Sequence, residues 1–266
     1  MNVFIHELKS YRKSTIIWTL SLCALAVIFL LMYPAFTKDV AASRKTLAGL
    51  PPVFREAVGI SLANFFTIFG FYAYLLNFLM LAAAIQAINL GVGVISKEES
   101  GKTADFLLSK PVSRASVITS KLLAVLSLLL MTNVVFVSVS LVAARLISPD
   151  PFSSKILLLI ASTVFLVQLA FLALGALFSV IIPRVKSVIA VSIPTVFVFF
   201  IIGALGAVLS EANTRYLTPF KYFDSNYIIT HGTYETRFLV IEAVLVAIAI
   251  TATYVIFIKK DIRAAS

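Results

Sequence analysis

Cysteine is almost absent. Cys23 is the single copy and lies inside the first apolar run, so no disulfide framework or cysteine-based metal site is possible. Histidine is nearly as scarce: His6 and His231 stand at opposite ends of the chain and leave little for metal or imidazole catalysis. Charge is scarce too, with only 13% of residues ionisable. The acids are scattered among loops separated by apolar runs, and no carboxylate pair suggests hydrolysis. No HExxH, CxxC, GxSxG or dinucleotide fingerprint occurs. Gly101-Lys102-Thr103 looks like the end of a nucleotide-binding P-loop, but that pattern needs glycine where Ser96 stands and a buried strand ahead of it. Glu98 and Glu99 just upstream would also repel phosphate. The chain reads as a non-enzyme that binds no cofactor or metal of its own, and any ATP energy must come from another chain.

Apolar residues fill the space these absences leave. They make up 61% of 266 residues, with a mean hydropathy of +1.04, more than a soluble domain of this length can bury. Lipid is the solvent for most of the chain. The net charge of +10 comes from basic residues beside apolar runs, as in proteins oriented by positive charge, and gives no case for a nucleic-acid partner. The pattern predicts an all-α polytopic membrane protein with six spans, over 15–32, 65–95, 115–147, 156–182, 188–209 and 238–258. Ahead of them, residues 1–14 suit an amphipathic helix lying at the interface, with Phe4, Leu8 and Tyr11 on one face and Glu7, Ser10 and Arg12 largely elsewhere. The basic flank of a signal anchor is an equal alternative. With Lys121 and Arg145 of the third span counted with their nearest loops, thirteen Lys and Arg fall on the termini and the second and fourth loops, against nine on the other loops, which predicts cytoplasmic termini. A prokaryotic plasma membrane is the expected location.

Polar groups inside the spans are few. Asn77, Gln86 and Asn89 lie in the second run; hydrogen bonding to neighbouring helices is the plain reading and contact with a transported substrate the sharper one. Glu242 lies one turn inside the sixth span, where snorkelling or pairing is the plain account and a proton or cation relay the sharper. Pro194 predicts a bend in the fifth span, and Gly203, Gly206 and Ala207 predict close helix approach near its end. The polar segment 33–64 turns at Pro51-Pro52 and favours a short helix over 53–62. Residues 211–237 form an extracellular loop whose Tyr216, Phe220, Tyr222, Phe223, Tyr227 and Tyr234 suit the membrane–water boundary.

The loop at 96–114 departs from everything around it. Ser96 followed by Glu99 is a capping-box pattern that predicts a short helix starting there, and Pro111 predicts its end near Leu108 or Ser109. Phe106-Leu107-Leu108 would stand exposed within this charged loop, as a docking surface does. Ser113 is a plausible cap for the third span.

This loop resembles the cytoplasmic loop of type-2 ABC transporter permeases. An acidic start and Gly-Lys-Thr turn (Glu98-Glu99-Ser100-Gly101-Lys102-Thr103) lead into Asp105-Phe106-Leu107-Leu108-Ser109-Lys110-Pro111-Val112-Ser113-Arg114. The basic start of the chain, Gln86 and Asn89 ahead of the loop, and Leu217–Phe223 before the last span are similar to the family as well. The resemblance implies a permease subunit, an exporter, whose loop is a coupling helix seated on a separate cytoplasmic ATPase subunit that holds ATP and magnesium. A second permease subunit, identical or related, would complete the pathway. Phe106, Leu107, Leu108 and Pro111 would then anchor the contact, with Glu98, Glu99, Gly101, Lys102, Thr103, Asp105 and Arg114 setting its register. An ATP-independent membrane scaffold or immunity protein is the alternative without that partner.

Overall fold

Long runs without breakers leave the backbone one way to pair its N–H and C=O groups in lipid, the α-helix. The computed structural model describes residues 3–100, 113–148, 150–183, 185–208 and 212–259, with backbone alone at 57, 98–100, 207–208 and 212. Among these residues all regular structure is helical. In order they are α1 (Val3–Leu30), α2 (Tyr33–Thr37), α3 (Val40–Ala48), α4 (Pro52–Val58), α5 (Ile68–Ser100), α6 (Arg114–Ile147), α7 (Ser154–Ile181) and α8 (Val188–Val208), then two 3₁₀ turns at Ala212–Leu217 and Pro219–Lys221, α9 (Ser225–His231) and α10 (Thr236–Lys259). Six are long and apolar enough to cross a bilayer: α1 with α2, α5, α6, α7, α8 and α10. The chain is a multi-pass membrane protein.

Burial separates these spans into a core and a periphery. The apolar stretch of α5 is 72% buried and that of α7 61%, whereas those of α8 and α10 are only 17% buried. The α5–α7 contact needs two glycines. A Cβ on Gly91 would lie 2.9 Å from the Ala176 nitrogen, and one on Gly175 would lie 2.7 Å from the Ile88 oxygen. Backbone thus meets backbone where the two helices cross. α1 packs along α6, α10 along α7, and α8 along α5.

Four details differ from the sequence reading. Residues 3–14 continue without a break into the first span as one 28-residue helix. Ser96 does not start a new helix: α5 runs on to Ser100, and the Ser96 hydroxyl donates to the Val92 carbonyl at 2.7 Å inside it. A capping-box pattern cannot end a helix that has an unbroken ladder behind it. Gly203 and Gly206 receive not a helix but the loop that follows, with Thr218 and Lys221 against the first and Thr214 against the second. Finally, the aromatic loop folds inward, burying Phe220, Tyr222 and Phe223 against the bundle. Tyr222 stacks on Phe238 (5.9 Å between centroids, 27° interplanar), which Arg215 also covers at 4.1 Å.

The end of the bundle holding α2–α4 and α9 is joined by polar caps. Asp39 accepts from the Ala42 nitrogen to start α3, and Asp224 from the Asn226 nitrogen to start α9. Gly232 closes α9 in the left-handed region (φ +64°). Asn64 donates to the Asn226 side-chain oxygen at 3.0 Å, linking the segment after the first span to the segment before the last.

Candidate functional site

At the opposite end of α5, three helices meet around charge. Glu7 of α1 is 3% exposed and Lys121 of α6 is 0% exposed, and their ion pair is 2.9 Å long. The Lys121 ammonium also donates to the Val94 carbonyl of α5 at 2.7 Å. Lys97, one turn further along α5, donates to Ser10 at 2.7 Å, lies 3.9 Å from the other Glu7 oxygen and covers the Tyr11 ring. Arg114 opens α6 and donates to the Ile258 carbonyl near the end of α10, while Ser113 caps α6 by accepting from the Ser116 nitrogen. Four helices are therefore tied together beside the end of α5 and the start of α6.

The residues expected to contact an ATPase fall mostly in that segment. Glu98 and Glu99 lie on the last helical turn of α5, with side chains outside the description. Gly101, Lys102, Thr103, Asp105, Phe106, Leu107, Leu108 and Pro111 lie outside the described residues, and Arg114 is placed as above. Glu7 and Lys121 were missed. The helical-wheel reading put Glu7 away from the apolar face, yet it lies on the buried face between Phe4 and Tyr11. Lys121 carried a usable signal, as the one ionisable group between Arg114 and Arg145 in an apolar run.

Deeper in the bundle runs a seam of amides and hydroxyls. Gln168 of α7 donates to the Gln86 side-chain oxygen at 3.1 Å and to the Ala83 carbonyl at 3.2 Å. Asn133 of α6 donates to Gln168 at 2.5 Å and to its own Leu129 carbonyl. Gln86 in turn reaches Thr132, which shares a 2.9 Å hydrogen bond with Thr19 of α1. Four spans are cross-linked through side chains that would otherwise be unpaired in lipid. Gln86 is one member of this network and is 1% exposed.

Two cavities take up the other polar residues of the second span, and one of them reaches the seam at Gln86. One, of about 660 Å³, lies between α1, α5 and the start of α8; Gln86 and Asn89 line it with Trp18, Lys97 and Lys186. Asn77 does not join them. It lines a second cavity of about 520 Å³ at the other end, against Gly59, with Glu56, Arg215, Lys221 and Asp224 around the wall. Burial pushes the Lys221 ammonium down from its usual range, Asp224 opposing this and Arg215 adding to it. Arg215 is held by Glu235 at 2.6 Å. The Tyr234 hydroxyl, bonded to the Leu159 carbonyl, is pushed up to about 12, first by burial and then by the nearby Glu242. Glu242 itself is 4% exposed, and neither of its oxygens has a hydrogen-bond partner among the described residues. Among the described residues no three His, Cys, Asp or Glu side chains come together as a metal site requires.

Six apolar helices long enough to cross a bilayer, packed around a buried seam of amides and hydroxyls and an ion-paired end, define an integral membrane protein. A family model described as "ABC-2 family transporter protein" matches residues 1–262, and the chain belongs to that family. Among curated proteins the comparison gave no match.

Proposed function

We propose that this chain is the membrane-spanning permease subunit of an ATP-driven exporter, and that it works as a dimer of permeases with two cytoplasmic ATPase subunits. The observation that carries the reading is the family match over residues 1–262, on a chain whose two longest helices flank the 101–112 segment. With 33 and 34 residues, α5 and α6 each extend roughly 50 Å, well beyond the ~30 Å hydrocarbon core. Their excess length projects the loop clear of the membrane, where an ATPase groove can receive Phe106, Leu107 and Leu108. ATP and magnesium belong to that partner. Both chain ends and the loop lie in the cytoplasm on this reading, and the membrane is the plasma membrane. Closure of the ATPases on ATP pushes the loop, and α5 and α6 carry the push to the polar seam.

Mild-detergent purification of the tagged protein, with mass spectrometry of what co-elutes, tests this. A stoichiometric P-loop protein is expected, and Leu107→Asp removes it while the permease still inserts in the membrane. A chain that elutes alone even after gentle crosslinking points instead to an ATP-independent scaffold or immunity protein.

A further inference from the structure

The cavity between α1, α5 and the start of α8 carries two kinds of surface. Along one wall it is apolar, with Trp18 half-buried and Ile189 exposed. At its rim stand two cations: Lys97, over the Tyr11 ring, and Lys186, exposed and with no carboxylate within ion-pair distance among the described residues. Lower on α5, Asn89 lines the cavity, and its side-chain oxygen is buried without a hydrogen-bond partner among the described residues. Eight residues separate Asn89 from Lys97, which places the amide ~12 Å below the rim along the helix axis. A free amide in an apolar cleft is costly unless something occupies it.

We propose that this cleft binds an acidic membrane amphiphile. Its anionic head meets Lys97 and Lys186, a polar linkage near the top of the chain meets Asn89, and its apolar tail leaves past Trp18 and Ile189 into the adjoining leaflet. The size suits one headgroup and the first part of a tail, since about 660 Å³ is within the range of small-molecule sites. The charge decides which amphiphile: no acid side chain lines the described wall, and of its two cations Lys97 is 3.9 Å from Glu7 while Lys186 has no carboxylate within ion-pair distance among the described residues, so a zwitterionic head has less to gain. Zwitterionic lipid has no such preference for the rim. As a binding site the cleft stands by itself; as the place where cargo is taken up it rests on the permease reading above.

Trp18 is the chain's single tryptophan and lines the cavity, so its fluorescence reports occupancy directly. The purified protein is reconstituted into vesicles of zwitterionic phospholipid containing a small fraction of phosphatidylglycerol with brominated acyl chains. The matching vesicles carry the bromine on the same fraction of phosphatidylcholine. Excess quenching by the acidic lipid is expected, corresponding to a local preference of roughly fivefold per unpaired cation at the rim. Lys186→Glu, an exposed position where folding is not at stake, lowers that preference several-fold. Asn89→Leu lowers it too, with the Trp18 emission maximum in unbrominated vesicles checking that each variant is folded. Equal quenching by both lipids makes Trp18 a reporter of ordinary boundary lipid and overturns the proposal. Quenching by neither also overturns it, since a second copy of the chain then covers the cleft. An excess that survives both substitutions places the acidic lipid elsewhere. None of these readings depends on an ATPase, so the site and the permease function fail or stand separately.

Discussion

A lysine and a glutamate buried at 0% and 3% exposure make sense only as a pair. Glu7 and Lys121 are 114 residues apart in sequence, and each satisfies the charge of the other. Removing one partner leaves the second uncompensated in a low dielectric. Lys121→Met should therefore destabilise the protein by about 3–5 kcal/mol, whereas the double variant with Glu7→Gln should recover most of that loss. Thermal unfolding in detergent measures both, and a double variant no more stable than the single would count against the pair. Such pairings are the least legible feature of the sequence. Gln86 stood out as a polar group in a span, but its partners Gln168 and Thr132, and Asn133 bonded in turn to Gln168, lie on other helices, and nothing local announces which helix faces which. Glu242 remains unpaired among the described residues, which neither the pairing nor the snorkelling account of it anticipates.

Whole helices were far more legible than their contacts. Hydropathy and breakers placed the fourth span at 156–182 and the helix is Ser154–Ile181; the sixth was placed at 238–258 and is Thr236–Lys259. Lipid leaves each run little choice of structure, so composition is enough. Local capping signals are weaker evidence, because a continuing helical ladder outweighs one serine, as Ser96 shows. Small residues were less legible: Gly203 and Gly206, expected to bring helices together, admit a loop, while Gly91 and Gly175, which drew no notice in the sequence, admit a helix. The α5–α7 crossing yields a prediction at this scale. In Gly91→Ala the new methyl group meets the backbone of Ala176 and Leu172, which has no rotamer to change. A loss of about 1–3 kcal/mol is expected, read as a lowered melting temperature in detergent. An unchanged melting temperature would mean that the two helices do not meet at Gly91.

The molecule as a whole has two unlike ends. One is capped by α2, α3, α4 and α9 and holds the Asn64–Asn226 bond; the other gathers Glu7, Lys97, Lys121 and Arg114 near the end of α5 and the start of α6. Six spans bring Val3 and Lys259 to the second end, and the permease reading proposed above assigns that end to the cytoplasm. The assignment decides whether the loop can meet an ATPase at all, so it deserves a direct test. Cys23 is the only cysteine, and Cys23→Ser gives a background free of thiols. Into it go Ala41→Cys, exposed on α3, and separately Ser109→Cys in the loop. A membrane-impermeant maleimide added to intact cells should label the first and spare the second; in inverted vesicles the order reverses. Labelling of Ser109→Cys from outside would turn the molecule over and leave Phe106, Leu107 and Leu108 beyond the reach of any cytoplasmic partner, ending the coupling reading whatever the fold. Labelling of both from one side would instead require one span fewer, since only an odd number of crossings separates position 41 from 109 in the six-span bundle.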